Sequence, residues 1–365
     1  MNKKVLLITL TGYFNFGNRL QNYALTKVIE KMGYHVDNLI VNDYGSVLKT
    51  KYKVFAKCIL FNLRINKHLD NYGILKRELK FVSFMEKYTP NVVKTTAENA
   101  FLSDWSQYDF AVTGSDQVWH NWKEFENELP FYYLEFIEEA KRISYAPSFG
   151  FTQFPAPDME IHKKGLLEMH ALSCREREGC EMIKELTGRD AAQVLDPTLL
   201  LTREEWESIE KKPPFIIEKK YLLVFFLGEI PEDYWREINI IKNERNLQLI
   251  NINDAKDPEH YAISPNEFIW LIHHADTVCT DSFHACVFSI IYTINLRVFW
   301  RQEDGFRDMF GRIRDLLEPL GMTGNVYGSI AGKKLSTVLN DNAEQYLEKN
   351  REKSFAYIKE SLKDN

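Results

Sequence analysis

A chain of 365 residues that is 45% apolar can bury more than one core, at roughly 150 residues per domain. Its formal net charge of -6 argues against a nucleic-acid binder held by phosphate contacts. The five cysteines, none in CxxC spacing, suggest neither a disulfide framework nor a structural zinc site, and point to reduced thiols in a cytoplasm.

The start "MNKKVLLITLTG" has the lysines and apolar run of a signal peptide. The run spans only Val5 to Leu10 before Thr11-Gly12 ends it, so a buried strand over residues 4–10 is expected instead. No stretch approaches the ~20 apolar residues of a membrane span. The next segment, "TGYFNFGNRLQNYAL", opens a helix that Gly33 stops. It has Gly12 and Gly17 but no GxGxxG, so it is not a dinucleotide fingerprint. Asn15, Asn18 and Gln21 have the chemistry to bind hydroxyls; the plainer reading is an ordinary strand-to-helix turn. A second strand is expected over residues 34–41.

Residues 49–94 then interrupt the βα pattern, with eleven Lys or Arg against three Asp or Glu. Phe55, Ile59, Leu60 and Leu63 recur at helix spacing among Lys51, Lys53, Lys57 and Arg64. Such a helix either packs its apolar stripe on the domain and solvates its lysines, or makes a peripheral contact with an anionic membrane surface.

The alternation resumes with strands expected over 108–114, 142–148, 171–176 and 191–197. In "VTGSDQVWHNW", Asp116 stands near Trp119 and Trp122. A carboxylate beside aromatics suits a sugar, whose ring stacks while the acid takes hydroxyl hydrogen bonds; the alternative is that the tryptophans are core. "SCRERE" places Arg175 directly after a strand, where it could fork onto a carboxylate or phosphate, or pair at the surface with Glu176 or Glu178.

"KKPPF" (211–215) is the linker candidate, because adjacent prolines cannot continue a helix. The alternation restarts with strands expected over 220–228, 247–253, 276–280 and 295–300. The chain therefore reads as α/β, with two βα domains of mostly parallel sheet. Their boundaries are expected at 1–210 (with a basic helical insertion near 47–95) and 216–335, followed by a helical segment over 336–365. Ligands bind beyond the carboxyl ends of such strands, so two facing domains make a cleft.

"TDSFHACVFSII" sets His284 into the first turn of a helix behind the cap types Thr280, Asp281 and Ser282. Free backbone N–H groups gather there and favour anions. His284 and Cys286 are two apart and do not share a helix face, so they form no Cys–His pair. His273 and His274 lie a whole strand away from His284, and no HExxH spacing exists, so no metal is expected.

Together, "GNRLQNYAL", "TGSDQVW", "SYAPSFG", "SCRERE", "QVLDPTLLL", "ADTVCTDSFHACVFSII" and "GRIRDLLEPLGM" resemble the polysaccharide pyruvyl transferase family. They stand in family order from residue 12 to about 322. The resemblance implies two Rossmann-like domains facing a cleft in a GT-B-like architecture. It implies phosphoenolpyruvate as donor substrate with no further cofactor, a glycan or lipid-linked saccharide as acceptor, and a pyruvate ketal plus phosphate as products.

The family's "SFH" histidine falls on His284, as the expected catalytic acid, and its "S-x-R-[ED]" arginine falls on Arg175. The donor set implied is Arg175, Ser282, Phe283, His284 and a further basic residue, for which Arg301 is nearest, with Arg307 and Arg312 as alternatives. Asp116, Asn15, Asn18, Gln21 and Trp119 are expected on the acceptor side, Asp116 also with a catalytic part. Family members carry Gly and often Thr after the histidine, where this chain has Ala285 and Cys286.

The expected location is cytoplasmic, at the inner membrane face if the acceptor is lipid-linked. Two rivals stand beside this reading. One is a GT-B-type glycosyltransferase with a sugar-nucleotide donor; the sequence shows no clear acidic ribose clamp for it, and Glu303 and Asp304 keep it open. The other is a non-catalytic glycan-binding relative, against which His284 and Arg175 argue.

Overall fold

The apolar run after Lys3 becomes β1 (Lys4–Ile8), buried from Val5 to Ile8. A strand covered on both faces belongs in the middle of a sheet flanked by helices. β1 takes that place, pairing in parallel with β2 (His35–Val41) and with β4 (Phe110–Thr113). β3 (Val92–Thr95) and β5 (Arg142–Ser144) complete the order β3-β2-β1-β4-β5. A short parallel pair, β6 (Ser173–Cys174) and β7 (Ala192–Gln193), joins β5 through the bridge Ile143–Ala171.

The second sheet is also all parallel, in the order β11-β10-β8-β9. Its strands are β8 (Tyr221–Phe225), β9 (Gln248–Asn251), β10 (Thr277–Thr280) and β11 (Asn295–Val298). The computed structural model describes residues 3–10, 15–41, 52, 56, 70–301 and 311–363.

The first helix, Phe16–Lys31, is buried almost all round because it has a sheet on either side. Phe16 stacks on Phe268 at 4.5 Å and meets Phe225 edge-on, both from the second domain. Tyr23 packs on Trp206. One apolar core thus runs through both domains. A large apolar interface of this kind opposes free domain motion.

The helix Asp70–Tyr88 adds to that junction. Arg77 is 1% exposed, its guanidinium 4.4 Å from the Phe16 ring centre and 4.5 Å from that of Tyr261. Lys80 pairs with the buried Glu267 at 2.6 Å. These two basic residues of the expected insertion therefore face the second domain. The strand β3, within and just past the same stretch, was not read from the sequence. The residues that carry the membrane reading, Lys51, Lys53, Lys57 and Arg64, lie outside the described residues. No described helix is long and apolar enough to cross a membrane.

The last helix, Asp341–Ser361, is capped by the Asn340 side chain and returns to the first domain. There Tyr357 Oη donates to the Ser144 carbonyl at 2.8 Å, and Ser354 Oγ accepts from the Leu195 amide at 2.9 Å.

Candidate functional site

Five loops that follow strands of the two sheets converge on one cleft. After β10, Ser282 caps the helix Phe283–Ile291, its Oγ accepting from the Ala285 amide while the Cys286 amide donates to the Ser282 carbonyl. The cap thus leaves the amides of Phe283 and His284 as the open donors of the first turn. Asp281 accepts from the amides of Leu227 and Gly228 at 2.7 and 3.0 Å and from Arg301 Nε at 3.2 Å. It ties the loop after β8 to the helix start and aims Arg301.

The imidazole of His284 is 5% exposed and sits where the first helix begins. A Cβ placed on Gly17 would lie 2.0 Å from His284 Nδ1, so only glycine allows this approach. Asn15 caps the same turn by accepting from the Gly17 amide at 2.9 Å. On its other side His284 Nε2 is 3.6 Å from Asp196 Oδ2.

Asp196 gathers the first domain's polar groups. Its Oδ1 accepts from Thr198 N and Oγ1 at 3.0 and 2.6 Å, and its Oδ2 accepts from Arg175 Nη1 at 2.8 Å. Burial alone would raise its carboxyl, but the His284 imidazole and the Arg175 guanidinium hold it well below the usual carboxylate range.

Arg175 is not at the surface. It is 6% exposed, donates through Nε to Glu176 Oε1 at 2.9 Å, and lies 4.5 Å over the Phe283 ring. Burial works against its charge, but Glu176, Asp196 and Asp116 outweigh burial and raise its pKa. It lies behind Phe283, off the wall of the cavity that the two domains share. Arg312 takes the place on the cleft wall, its Nη1 3.7 Å from Asp116 Oδ1, the same oxygen that is 3.7 Å from Arg175 Nη2. Burial first, and then the neighbouring Arg175 charge, push the Arg312 guanidinium down to about 10, while Asp116 works the other way.

The cavity has a volume of about 360 Å³ and takes walls from both domains. Asn15, Asn18 and Asp116 line it from the first, and Ser282, Phe283, His284, Arg301 and Arg312 from the second. Asp116 holds φ +67°, a left-handed position that aspartate tolerates better than most residues. The cavity also has aromatic lining, with Trp122, Phe125, Phe131 and Tyr132.

Two expected acceptor residues are not on this wall. Trp119 is fully buried, stacked on Tyr133 at 5.3 Å and against Phe149, so it cannot meet a sugar. Gln21 is also fully buried; its amide group donates to Thr9 Oγ1 and the Asn18 carbonyl and accepts from Ser115 N and Oγ, which leaves nothing for a ligand.

Asp196 was not singled out from the sequence, although it follows the β7 segment as the other site residues follow their strands. Cys286 is buried and its thiol is pushed up by burial, which removes it as a nucleophile. Among the described residues, Glu210, His273 and His274 bring ligand atoms together. Both ring nitrogens of His273 are already engaged, with Glu210 Oε1 and Arg203 Nη2 at 2.9 Å each, as in a surface ion-pair cluster.

The family model for polysaccharide pyruvyl transferase matches residues 15–303. No curated protein matches the chain. Among solved structures, a putative UDP-N-acetylglucosamine 2-epimerase from Listeria monocytogenes is similar at a TM-score of 0.53 and 11% identity, over 98% of this chain and 91% of its own. UDP-GlcNAc 2-epimerase from Neisseria meningitidis bound to UDP-GlcNAc gives 0.47 and 10%, over 98% and 99%. ADP-heptose lps heptosyltransferase II from E. coli gives 0.36 and 9%, over 98% of each. At such identities the likeness is one of fold, and the first of them supports the two-domain GT-B-like architecture.

Proposed function

Because this chain belongs to the polysaccharide pyruvyl transferase family, we propose that it moves the pyruvyl unit of phosphoenolpyruvate onto two hydroxyls of a glycan or glycolipid precursor, forming a ketal and releasing phosphate. The observation that carries this reading is the gathering of His284, Arg301 and Arg312 around the open amides of a helix start, in a cleft shared by two domains. A donor with a carboxylate and a phosphate would place its negative charge on Arg301, Arg312 and those amides.

In this reading the imidazolium of His284 protonates C3 of the donor, with ionised Asp196 as its counter-charge. C2 becomes electrophilic and the first acceptor oxygen bonds to it, its proton returning to His284. The C2–O bond to phosphate then breaks, the second hydroxyl oxygen bonds to C2, and its proton leaves with phosphate. Atoms balance, and each donor gives one ketal and one phosphate. Arg301 and Arg312 hold the anionic groups, and Arg175 supports them from behind through Asp196 and Phe283. Asn15, Asn18 and Asp116 receive the acceptor hydroxyls. General-acid help of this kind is worth about 10²–10⁴ in rate.

Incubation with phosphoenolpyruvate and a panel of nitrophenyl or lipid-linked glycosides tests the proposal. The expected result is phosphate release together with a product heavier by pyruvate less one water. Stabilisation in a thermal-shift panel by sugar nucleotides and not by phosphoenolpyruvate would move the assignment to a glycosyltransferase.

A further inference from the structure

The cleft has two kinds of lining: cationic side chains, His284, Arg301 and Arg312, and aromatic ones, Trp122, Phe125, Phe131 and Tyr132. Trp122 is only partly buried. Its indole N–H donates to the Gln117 carbonyl at 3.2 Å, and its ring packs on the His120 imidazole at 4.3 Å. His120 is tied in turn to the Phe149 carbonyl through Nδ1 at 3.1 Å, and burial pushes its imidazole down. The indole is therefore held in one orientation while it lines the cleft.

Asn18 also lines the cleft. It is 7% exposed, and with Asn15 and Asp116 it gives the cleft the amide and carboxylate groups that hydrogen-bond hydroxyls.

We infer that Trp122 is the specificity-determining platform for the acceptor. The C–H face of a pyranose ring lies on the indole, and its hydroxyls meet the polar groups of Asn15, Asn18 and Asp116 that line the same cleft. The acceptor class is then a saccharide in closed-ring form. An acyclic polyol offers the same hydroxyls but no flat apolar face for the indole to cover. This inference rests on the transfer reading above.

Two measurements test it separately. In turnover, Trp122→Ala is expected to raise KM for a nitrophenyl pyranoside about tenfold or more, with Trp122→Phe recovering most of the loss. KM for phosphoenolpyruvate should stay within about twofold, and a hexitol should be a poor acceptor of the wild type. In binding, a methyl pyranoside titrated without donor should quench tryptophan fluorescence saturably, and Trp122→Phe should lose that quench. Circular dichroism of both variants controls for folding. If the wild type transfers from phosphoenolpyruvate to no glycoside, the transfer reading falls and the quench still decides the platform. An unchanged acceptor KM in Trp122→Ala overturns the platform. So does a quench that survives in Trp122→Phe or is absent from the wild type.

Discussion

His284 Nε2 and Asp196 Oδ2 stand 3.6 Å apart across the boundary between the two domains. The pair joins the helix start after β10 to the turn that follows β7. It gives the expected acid a buried counter-charge. Asp196→Asn keeps the shape and removes that charge, leaving Arg175 and His284 facing a neutral amide. Losing one partner of a buried ionic cluster costs about 3 kcal/mol or more of stability. Because the carboxyl is held below its unfolded value, the stability it supplies is present above the ordinary carboxylate range and is lost on acidification. Urea unfolding at pH 7 should show the loss for Asp196→Asn, and a variant as stable as the wild type would make the ion pair incidental.

His284→Ala and His284→Gln should both lower phosphate release by about 10²–10⁴ while the fold is retained. Glutamine can hydrogen-bond but cannot deliver a proton. Near-wild-type turnover in His284→Gln, measured by phosphate release, would reduce His284 to a positioning group.

Gly17→Ala is expected to act on the same imidazole from the opposite side. The new methyl would sit 2.0 Å from His284 Nδ1, so the ring must move. Displacements of about 1 Å at reacting groups cost about a hundredfold in turnover. The helix itself should tolerate alanine, the best helix former, so circular dichroism should be unchanged. Turnover within a few-fold of wild type would show that the ring position seen here is not the one used in catalysis.

Much of this was legible before the structure. Strands read from apolar runs, and the rule that ligands sit beyond strand ends, point to Asp116, Arg175 and His284. Only Asp116 and His284 line the cavity, and Arg175 lies behind Phe283. What the sequence does not show is which member of a chemically equivalent pair faces the cleft. Trp119 and Trp122 stand three apart in one loop; Trp119 turns into the core and Trp122 into the cavity. The loop has left-handed backbone at Asp116 and Lys123, on either side of the two tryptophans, and periodicity does not encode such positions. The carboxylate of Asp196 reads as a turn cap before Pro197, which it also is, and its contact with His284 exists only after two domains come together.

Trp119→Ala should destabilise the protein by about 3–5 kcal/mol, the range for an aromatic removed from a packed core. Trp119 is fully buried between Tyr133 and Phe149, so the cavity it leaves has rigid aromatic walls. Chemical unfolding measures the change. A loss below about 1 kcal/mol would mean that the neighbouring rings collapse into the gap.

Glu128 sets a pH dependence that can be isolated. It is 2% exposed, its Oε2 accepts from the Glu124 amide at 3.0 Å, and its Oε1 has no hydrogen-bond partner among the described residues. Burial raises its carboxyl to about 7, against 4.5 as the ordinary value. Between those two values the folded protein keeps a proton that the unfolded chain has lost, so stability falls as pH rises from 4.5 through 7. His162 acts in the opposite sense. Burial lowers its imidazole to about 4, so the unfolded chain binds the extra proton between 4 and 6.5 and stability rises with pH there. A plain stability–pH curve mixes the two. The difference between wild type and Glu128→Gln cancels His162 and leaves Glu128 alone. That difference should move in favour of glutamine as pH rises from 5 to 8, because glutamine fills the same space and cannot ionise. Urea unfolding of both proteins at each pH measures it. A difference that stays flat across the window would mean that Glu128 is as solvated in the fold as in the unfolded chain.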